Sequence, residues 1–252
     1  MNSEQEHPVR APHPPLTDYY AGAVARRAWV RDIFNRTAAD YDRVERAMSA
    51  GSGAHYRRRA LLRAGLAPGM HLLDVGTGTG LVAKQGLQIV GASGSVTGVD
   101  PGIGMLRAGA LPGRIHAVVG IGERLPLAAA QFDFLSMGYA LRHVSDVTAL
   151  FAEFHRVLKP GGRVCVLEIT RPVNRTAGAL LKLYMRTLVP LLARALTRHA
   201  DTATLMRYYW DTIETCVSPE QVIAALSVAG FERVERYVEL GMFSEYRACR
   251  PR

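Results

Sequence analysis

Asp74, Gly76, Gly78 and Gly80 stand together in Leu72–Gly80, LLDVGTGTG, and an acid followed by alternating glycines is a spacing that can hold a nucleoside. Glycine has no Cβ, so the chain turns sharply there and a ligand can approach the backbone closely. Leu72 and Leu73 read as a short buried strand and Leu81 to Val90 as a helix, which puts the loop between a strand and a helix N-terminus. About twenty residues further on, the β-like run Ser95 to Val99 ends in Asp100, where nucleotide-type folds use an acid to accept hydrogen bonds from ribose hydroxyls. The dinucleotide fingerprint is G-x-G-x-x-G. Here the third glycine comes one position early and Leu81 occupies the place of the last one. The pattern suits a ligand with a ribose and no pyrophosphate, and S-adenosylmethionine is such a ligand. A tight, ligand-free turn is the alternative on the loop alone, and Asp100 at that spacing argues against it.

The elements around the loop follow from patterning. Met1 to Leu16 is polar, proline-rich and without the apolar core of a secretory signal, and residues 1–17 are expected to be a disordered tail. The rest, 18–252, reads as one domain. A helical cap is expected over 18–66 and a core with alternating strands and helices over 67–173. A helical lid over 174–212 and a C-terminal helix with a hairpin over 213–252 complete it. Strands are expected near 70–75, 95–100, 115–119, 132–137 and 163–169, with helices at Ala149–Leu158 and Pro219–Ala229 and β-rich runs at 231–240 and 242–248. The alternation predicts an α/β fold: a Rossmann-like, doubly wound, mostly parallel seven-stranded sheet. In the cap, Tyr41 either packs as part of an amphipathic helix or closes over the glycine loop.

Composition bounds the rest. The chain has 252 residues, is 48% hydrophobic and carries a formal net charge of +9. That length supports one large core, and the charge favours anionic surfaces. Arginines are scattered without interleaved aromatics, so no nucleic-acid groove is expected. Cys165, Cys216 and Cys249 are odd in number and far apart, which predicts neither a disulfide framework nor a metal site and fits a cytoplasmic protein.

Several motifs then stand in one order: the Tyr41-Asp42 segment, LLDVGTGTG, GVDPGIGML, GERLPL followed by FDF, LRHVSD, and EFHRVLKPGGRVCVLEITRP. Together they resemble the class I S-adenosylmethionine-dependent methyltransferases and, more narrowly, the UbiE-type C-methyltransferases of ubiquinone and menaquinone biosynthesis, from about residue 31 to residue 248. The resemblance implies that Asp74, Gly76, Thr77, Gly78, Thr79 and Gly80 wrap the methionine part of the cofactor. Asp100, beside Pro101, would hold the ribose, with Met105 on the adenine side. Ile121-Gly122 falls where the family usually has a polar or acidic residue followed by Ala, and Gly138 where Ser is frequent. Tyr41 would close over the cofactor. Ile121 offers no side-chain acceptor to the adenine amine, a loss of about 1 kcal/mol if nothing replaces it.

Carbon methylation of a quinol needs in-line positioning, removal of the ring hydroxyl proton and stabilisation of the phenolate. The resemblance points to Arg142 for the last task, since a guanidinium stays charged and presents fixed donors; a surface pair with Asp146 is the structural alternative. His143 stands where quinone enzymes typically have Asn, and its ordinary pKa of about 6.5 suits proton removal near neutrality. A histidine bonded to backbone at a helix start is the alternative. Glu168 is expected to stabilise the sheet edge or an adjacent loop rather than to act as a catalyst. Residues 177–199 are apolar with Lys182, Arg186, Arg194 and Arg198 interspersed. The charges and Pro190 exclude an ordinary spanning helix. A lid on the sheet and a peripheral contact with the inner face of an anionic membrane are both open, and are compatible. The expected substrate is a lipophilic quinol or related aromatic. Methylation of O, N or C on another hydrophobic molecule, and a cofactor-binding partner without turnover, are the alternatives.

Overall fold

The computed structural model describes residues 11–197 and 199–252. In chain order the elements are α1 (Gly22–Met48), α2 (Gly53–Arg63), β1 (His71–Val75), α3 (Leu81–Val90), β2 (Ser95–Asp100), α4 (Ile103–Ala108), β3 (Ile115–Val119) and β4 (Phe132–Gly138). A 3-10 turn at Leu141–His143 leads into α5 (Val147–Val157) and β5 (Leu158–Ile169). Then come α6 (Arg175–Leu183), a π-type turn (Tyr184–Leu188), α7 (Val189–Leu196), α8 (Ala200–Thr215), α9 (Pro219–Val228), β6 (Glu232–Glu239) and β7 (Phe243–Cys249).

The strands form one seven-stranded sheet in the order β3-β2-β1-β4-β5-β7-β6. Only β7 runs against its neighbours, paired antiparallel with both β5 and β6, so the expected mostly parallel, doubly wound sheet is what the chain forms. Successive side chains of a strand point to opposite faces, and each face has its own core. Leu73, Leu135 and Val166 pack with Phe151 and Phe154 of α5; Leu72, Phe134 and Cys165 pack with Ala83 and Val90 of α3. The order reverses between β1 and β4, and ligands of open α/β sheets lie beyond the strand C-termini at such a point.

A third apolar cluster joins the helices that cover this end: Ile33 and Val44 of α1, Met185, Val189 of α7, and Leu205, Tyr208 and Trp210 of α8. Pro190 has no N–H to give to the helical ladder, and the ladder widens to the π-type turn immediately before it.

Two expectations need correcting. Residues 11–17 are not a loose tail: the Pro12 carbonyl accepts the Val217 N–H at 2.7 Å, His13 is buried, and Leu16 packs on the third cluster. Prolines leave few N–H groups to satisfy, so such a strap can lie on the body with few hydrogen bonds. The part of the expected tail at residues 1–10 lies outside the described residues. In addition, β5 starts at Leu158 rather than 163. Phe132 faces Leu158 while Phe134 faces Arg163, so Lys159–Gly162 is a bulge within the strand, turning at Gly161 with φ +79°.

Candidate active site

A single cavity lies over the C-terminal ends of β1, β2 and β4, lined by the glycine loop, the cap helix α1, the 139–145 segment and Tyr209 of α8. The loop is shaped by its glycines. Gly76 and Gly78 have φ of +67° and +56°, and a Cβ at Gly76 would come within 2.6 Å of the Ala140 Cβ, so no other residue fits there without displacing the β4 end. Of the predicted residues, Tyr41, Gly76, Thr77, Gly78, Thr79, Asp100, Pro101, Met105, Ile121, Gly122, Gly138 and His143 all line this cavity. Asp74, Gly80 and Arg142 do not.

Asp74 lies beneath the loop, 1% exposed. Its two carboxylate oxygens accept from Ser136 Oγ and Thr77 Oγ1, both at 2.7 Å. It therefore braces the loop instead of meeting the ligand. Burial pushes its pKa up to about 6 against those bonds. Gly80, φ +81°, is the N-cap of α3, and a Cβ there would strike Leu111 Cδ2 at 2.2 Å.

Asp100 suits a ribose. One oxygen accepts the Gly78 N–H at 2.8 Å and the other the Gly102 N–H at 2.7 Å. An ionised carboxylate has about four lone-pair sites, so each oxygen keeps capacity for a hydroxyl donor. Burial raises its pKa to about 6, with the two backbone bonds pulling the other way. Met105, Ile121 and Gly122 also line the cavity, and a Gly122 Cβ would sit 2.5 Å from Leu150 Cδ1. The donor set, the bare glycine loop and the apolar slot fit S-adenosylmethionine. No pyrophosphate cradle is called for.

Arg142 corrects the expectation of a donor at the cavity. Its side chain is buried and ion-paired with Glu168, with the guanidinium 4.9 Å from the centre of the Tyr209 ring, one layer behind the cavity wall. Asp146, the other candidate partner, instead caps α5 by accepting the Ala149 N–H at 2.9 Å. The parallel register of β4 and β5 explains the pairing, since Gly138 opposite Leu167 sets the turn after β4 beside Glu168 near the end of β5. Two buried charges in contact offset part of the cost of leaving water. Glu168 thus does brace the sheet end, and it does so through Arg142.

His143 faces the cavity. Its ring stacks on Tyr208 and Tyr209 and meets Phe34 edge-on, and Nδ1 lies 3.4 Å from the Tyr208 hydroxyl. Nε2 is buried with no hydrogen-bond partner among the described residues. Burial first, and the Arg142 cation second, hold its pKa well below 6.5, so the imidazole is neutral at neutral pH. The Tyr209 hydroxyl donates to the Tyr41 hydroxyl at 3.0 Å, which leaves the Tyr41 proton free for a ligand. Tyr41 packs on the cap's apolar cluster and also lines the cavity.

Sequence reasoning missed Phe34, Arg57, Glu123 and Tyr209 as lining residues. The spacing of Phe34 seven residues before Tyr41 was a usable signal, because such positions share a helix face. No local signal marked Tyr209, which arrives from α8.

The residues 22–244 match the model of the ubiE/COQ5 methyltransferase family. The chain is 30% identical to the ubiquinone/menaquinone biosynthesis C-methyltransferase UbiE of Stutzerimonas stutzeri, over 88% of this chain and 89% of that one. It is 31% identical to the UbiE of Shewanella halifaxensis, over 81% and 83%. Among solved structures it is similar to an S-adenosylmethionine-dependent methyltransferase from Thermotoga maritima, a possible histamine N-methyltransferase, with TM-score 0.61 and 20% identity over 86% of this chain and 98% of that one. A further fold neighbour is a phosphoethanolamine N-methyltransferase of Haemonchus contortus in complex with S-adenosylmethionine, with TM-score 0.56 and 16% identity, covering 79% and 53%. The match along nearly the whole chain agrees with the sheet order and the glycine loop, and the chain belongs to the ubiE/COQ5 methyltransferase family, enzymes whose methyl donor is S-adenosylmethionine.

Proposed function

We propose that the protein transfers a methyl group to a ring carbon of a lipophilic quinol or related hydroxylated aromatic, with His143 taking the hydroxyl proton. One observation carries this reading: His143 lines an aromatic-walled cavity that is continuous with the glycine loop, and its buried Nε2 has no hydrogen-bond partner among the described residues. The bound cofactor supplies an electrophilic methyl on a sulfonium. Phe34, Tyr209 and the imidazole pack on one another as one aromatic wall, and a flat ring lying against that wall is shielded from water on this side. Free phenols are weak acids, and a neutral imidazole of lowered pKa is a weak base. As the ring carbon gives electrons to the methyl, however, the attached hydroxyl becomes strongly acidic, so Nε2 needs to accept its proton only as charge develops. Arg142 is a positioning residue in this reading. Glu123, which lines the cavity with Oε1 bonded to the Ser145 N–H at 2.6 Å, supplies through its second oxygen the acceptor that Ile121 lacks.

The substrate's lipophilicity is supported by the lid. Leu181, Met185, Val189 and Ala193 are buried, while Leu180, Leu183, Leu188, Leu191, Leu192 and Leu196 are 37–65% exposed on the other side. No acidic residue occurs between Arg171 and Ala200. Among the described residues no helix is long and apolar enough to cross a membrane. Lys182 pairs with Glu214 at 2.6 Å, but the stretch of exposed leucines has no acid of its own and suits lying on an anionic bilayer.

The test is a label chase: protein, methyl-labelled S-adenosylmethionine and a chemically reduced bacterial lipid extract, with products separated by reversed-phase chromatography and mass detection. Label on a ring carbon of a late-eluting quinone-like species is the expected result. Label on oxygen or nitrogen of another compound would transfer the assignment to that chemistry, and no label with cofactor binding intact would leave a binding protein without turnover.

A further inference from the structure

The face of α1 that meets the cavity carries Arg27, Val30, Arg31, Phe34 and Tyr41, spaced by threes, fours and sevens on one stripe of the helix. From the mouth inward, this stripe passes from two guanidinium groups through Val30 and Phe34 to the Tyr41 hydroxyl. Both arginines are exposed. Arg27 has no hydrogen bond or ion pair among the described residues, and Arg31 has only its half-exposed neighbour Asp32, at 3.1 Å, a pair of the kind worth little. The acids that border the cavity are engaged: Asp100 by the Gly78 and Gly102 N–H groups, Glu123 by the Ser145 N–H. Two like charges one turn apart on an exposed helix face repel by a few tenths of a kcal/mol, a penalty that an anion seated between them removes. The methyl donor is a net cation, repelled overall by these groups, and its own carboxylate is the competing claimant that the variants below separate.

We propose that Arg27 and Arg31 receive a carboxylate carried by the acceptor, which makes the substrate an aromatic hydroxy acid. The inference rests on the ring-methylation reading and narrows its substrate class. The helix rise places Arg31 about 4.5 Å and Arg27 about 10 Å from Phe34 along the axis. A fused two-ring acid lying in the cavity against Phe34 thus brings its carboxylate within reach of the two side chains, whose forked donors match it bidentately. The chemistry balances: the sulfonium methyl forms a bond to a ring carbon, that carbon loses its hydrogen as a proton, S-adenosylhomocysteine leaves, and the carboxylate is unchanged.

Calorimetry on the protein loaded with S-adenosylhomocysteine tests this without turnover, using 1-hydroxy-2-naphthoic acid against 1-naphthol. The acid is expected to bind at least tenfold more tightly. The Arg27→Gln/Arg31→Gln variant should lose that preference, Arg27→Lys/Arg31→Lys should restore part of it, and rising salt should shrink it. S-adenosylhomocysteine affinity should be the same in every variant. Equal binding of the two probes, no binding of either, or a preference that survives the Gln variant would overturn the proposal. So would a loss confined to S-adenosylhomocysteine affinity, which would assign the arginines to the donor's own carboxylate. A carboxylate preference together with label on oxygen or nitrogen in the label chase would sink the ring-methylation reading and leave the anion site standing.

Discussion

At the residue scale, the site separates groups that meet the ligand from groups that hold them. Removing Arg142 strands Glu168 in the interior, and breaking such a pair costs about 3–5 kcal/mol. Arg142→Ala is therefore expected to lower the unfolding free energy measured by urea denaturation by that amount, while Arg142→Met/Glu168→Leu, which removes both charges, recovers most of it. His143→Ala should behave in the opposite way. It is expected to lower kcat about 100-fold with cofactor affinity unchanged in calorimetry, and a parallel loss of cofactor affinity would refute a role confined to the acceptor. Asp100 sets a pH dependence. With its pKa raised to about 6, it gains a proton below that pH and no longer accepts from both ribose hydroxyls. Affinity for S-adenosylhomocysteine should accordingly be about tenfold weaker at pH 5 than at pH 7, and Asp100→Asn should be weak at both. Stability is a poorer readout of the same proton. Raised carboxylate pKa values, for Asp74 and Asp100, contribute stability present below about 4 and lost as pH rises through about 6. His13, lowered to about 4, and His143, lowered by burial, contribute stability present above 6.5 and lost as pH falls, so the two sets oppose one another.

At the element scale, α1 is the part that must be held against the sheet. Two polar contacts tie it to the cofactor loops: Thr79 Oγ1 donates to Asp42 Oδ1 at 2.5 Å, and the Gly104 N–H donates to Asn35 Oδ1 at 2.9 Å. Its other side is fastened by Arg26, which donates to the Arg142 carbonyl at 2.9 Å while its guanidinium lies 2.8 Å from His13 Nε2. The strap, the cap and the turn bearing His143 are thus one connected unit. Asp42→Ala cuts the tie nearest the glycine loop. It is expected to weaken cofactor binding about fivefold, the equivalent of one hydrogen bond at about 1 kcal/mol, and to speed amide exchange in α1 with β1 and β4 unaffected. Unchanged exchange in α1 would show that the apolar cluster alone holds the cap.

At the scale of the whole molecule, the net charge of +9 acquires a direction. The acid-free stretch from Arg171 to Ala200 carries exposed leucines on the side away from the core. Vesicles containing phosphatidylglycerol should therefore carry the protein upward in flotation, and neutral vesicles should not. High salt should release it, and Leu183→Glu/Leu191→Glu should abolish flotation with the fold retained by circular dichroism. Flotation that survives this variant would move the contact to another face.

Most of what depends on residues close together in the chain was readable from the sequence alone, the bulged start of β5 being an exception. The glycine loop, Asp100, the strands and the helices α3, α5 and α9 are signalled by alternation, by backbone freedom and by caps within a few residues. What the tertiary structure alone decided is which distant groups meet. Arg142 and Glu168 stand 26 residues apart, and the parallel register of two strands brings them together. Tyr209 reaches Tyr41 across 168 residues because two amphipathic helices bury their apolar stripes against each other. The strap at 11–17 looks like an unstructured tail by composition and is held by single contacts that composition does not encode. Local spacing specifies conformation, whereas a buried charge or an unpartnered imidazole gets its chemistry from the groups packed around it, and packing is settled only when the whole chain has folded.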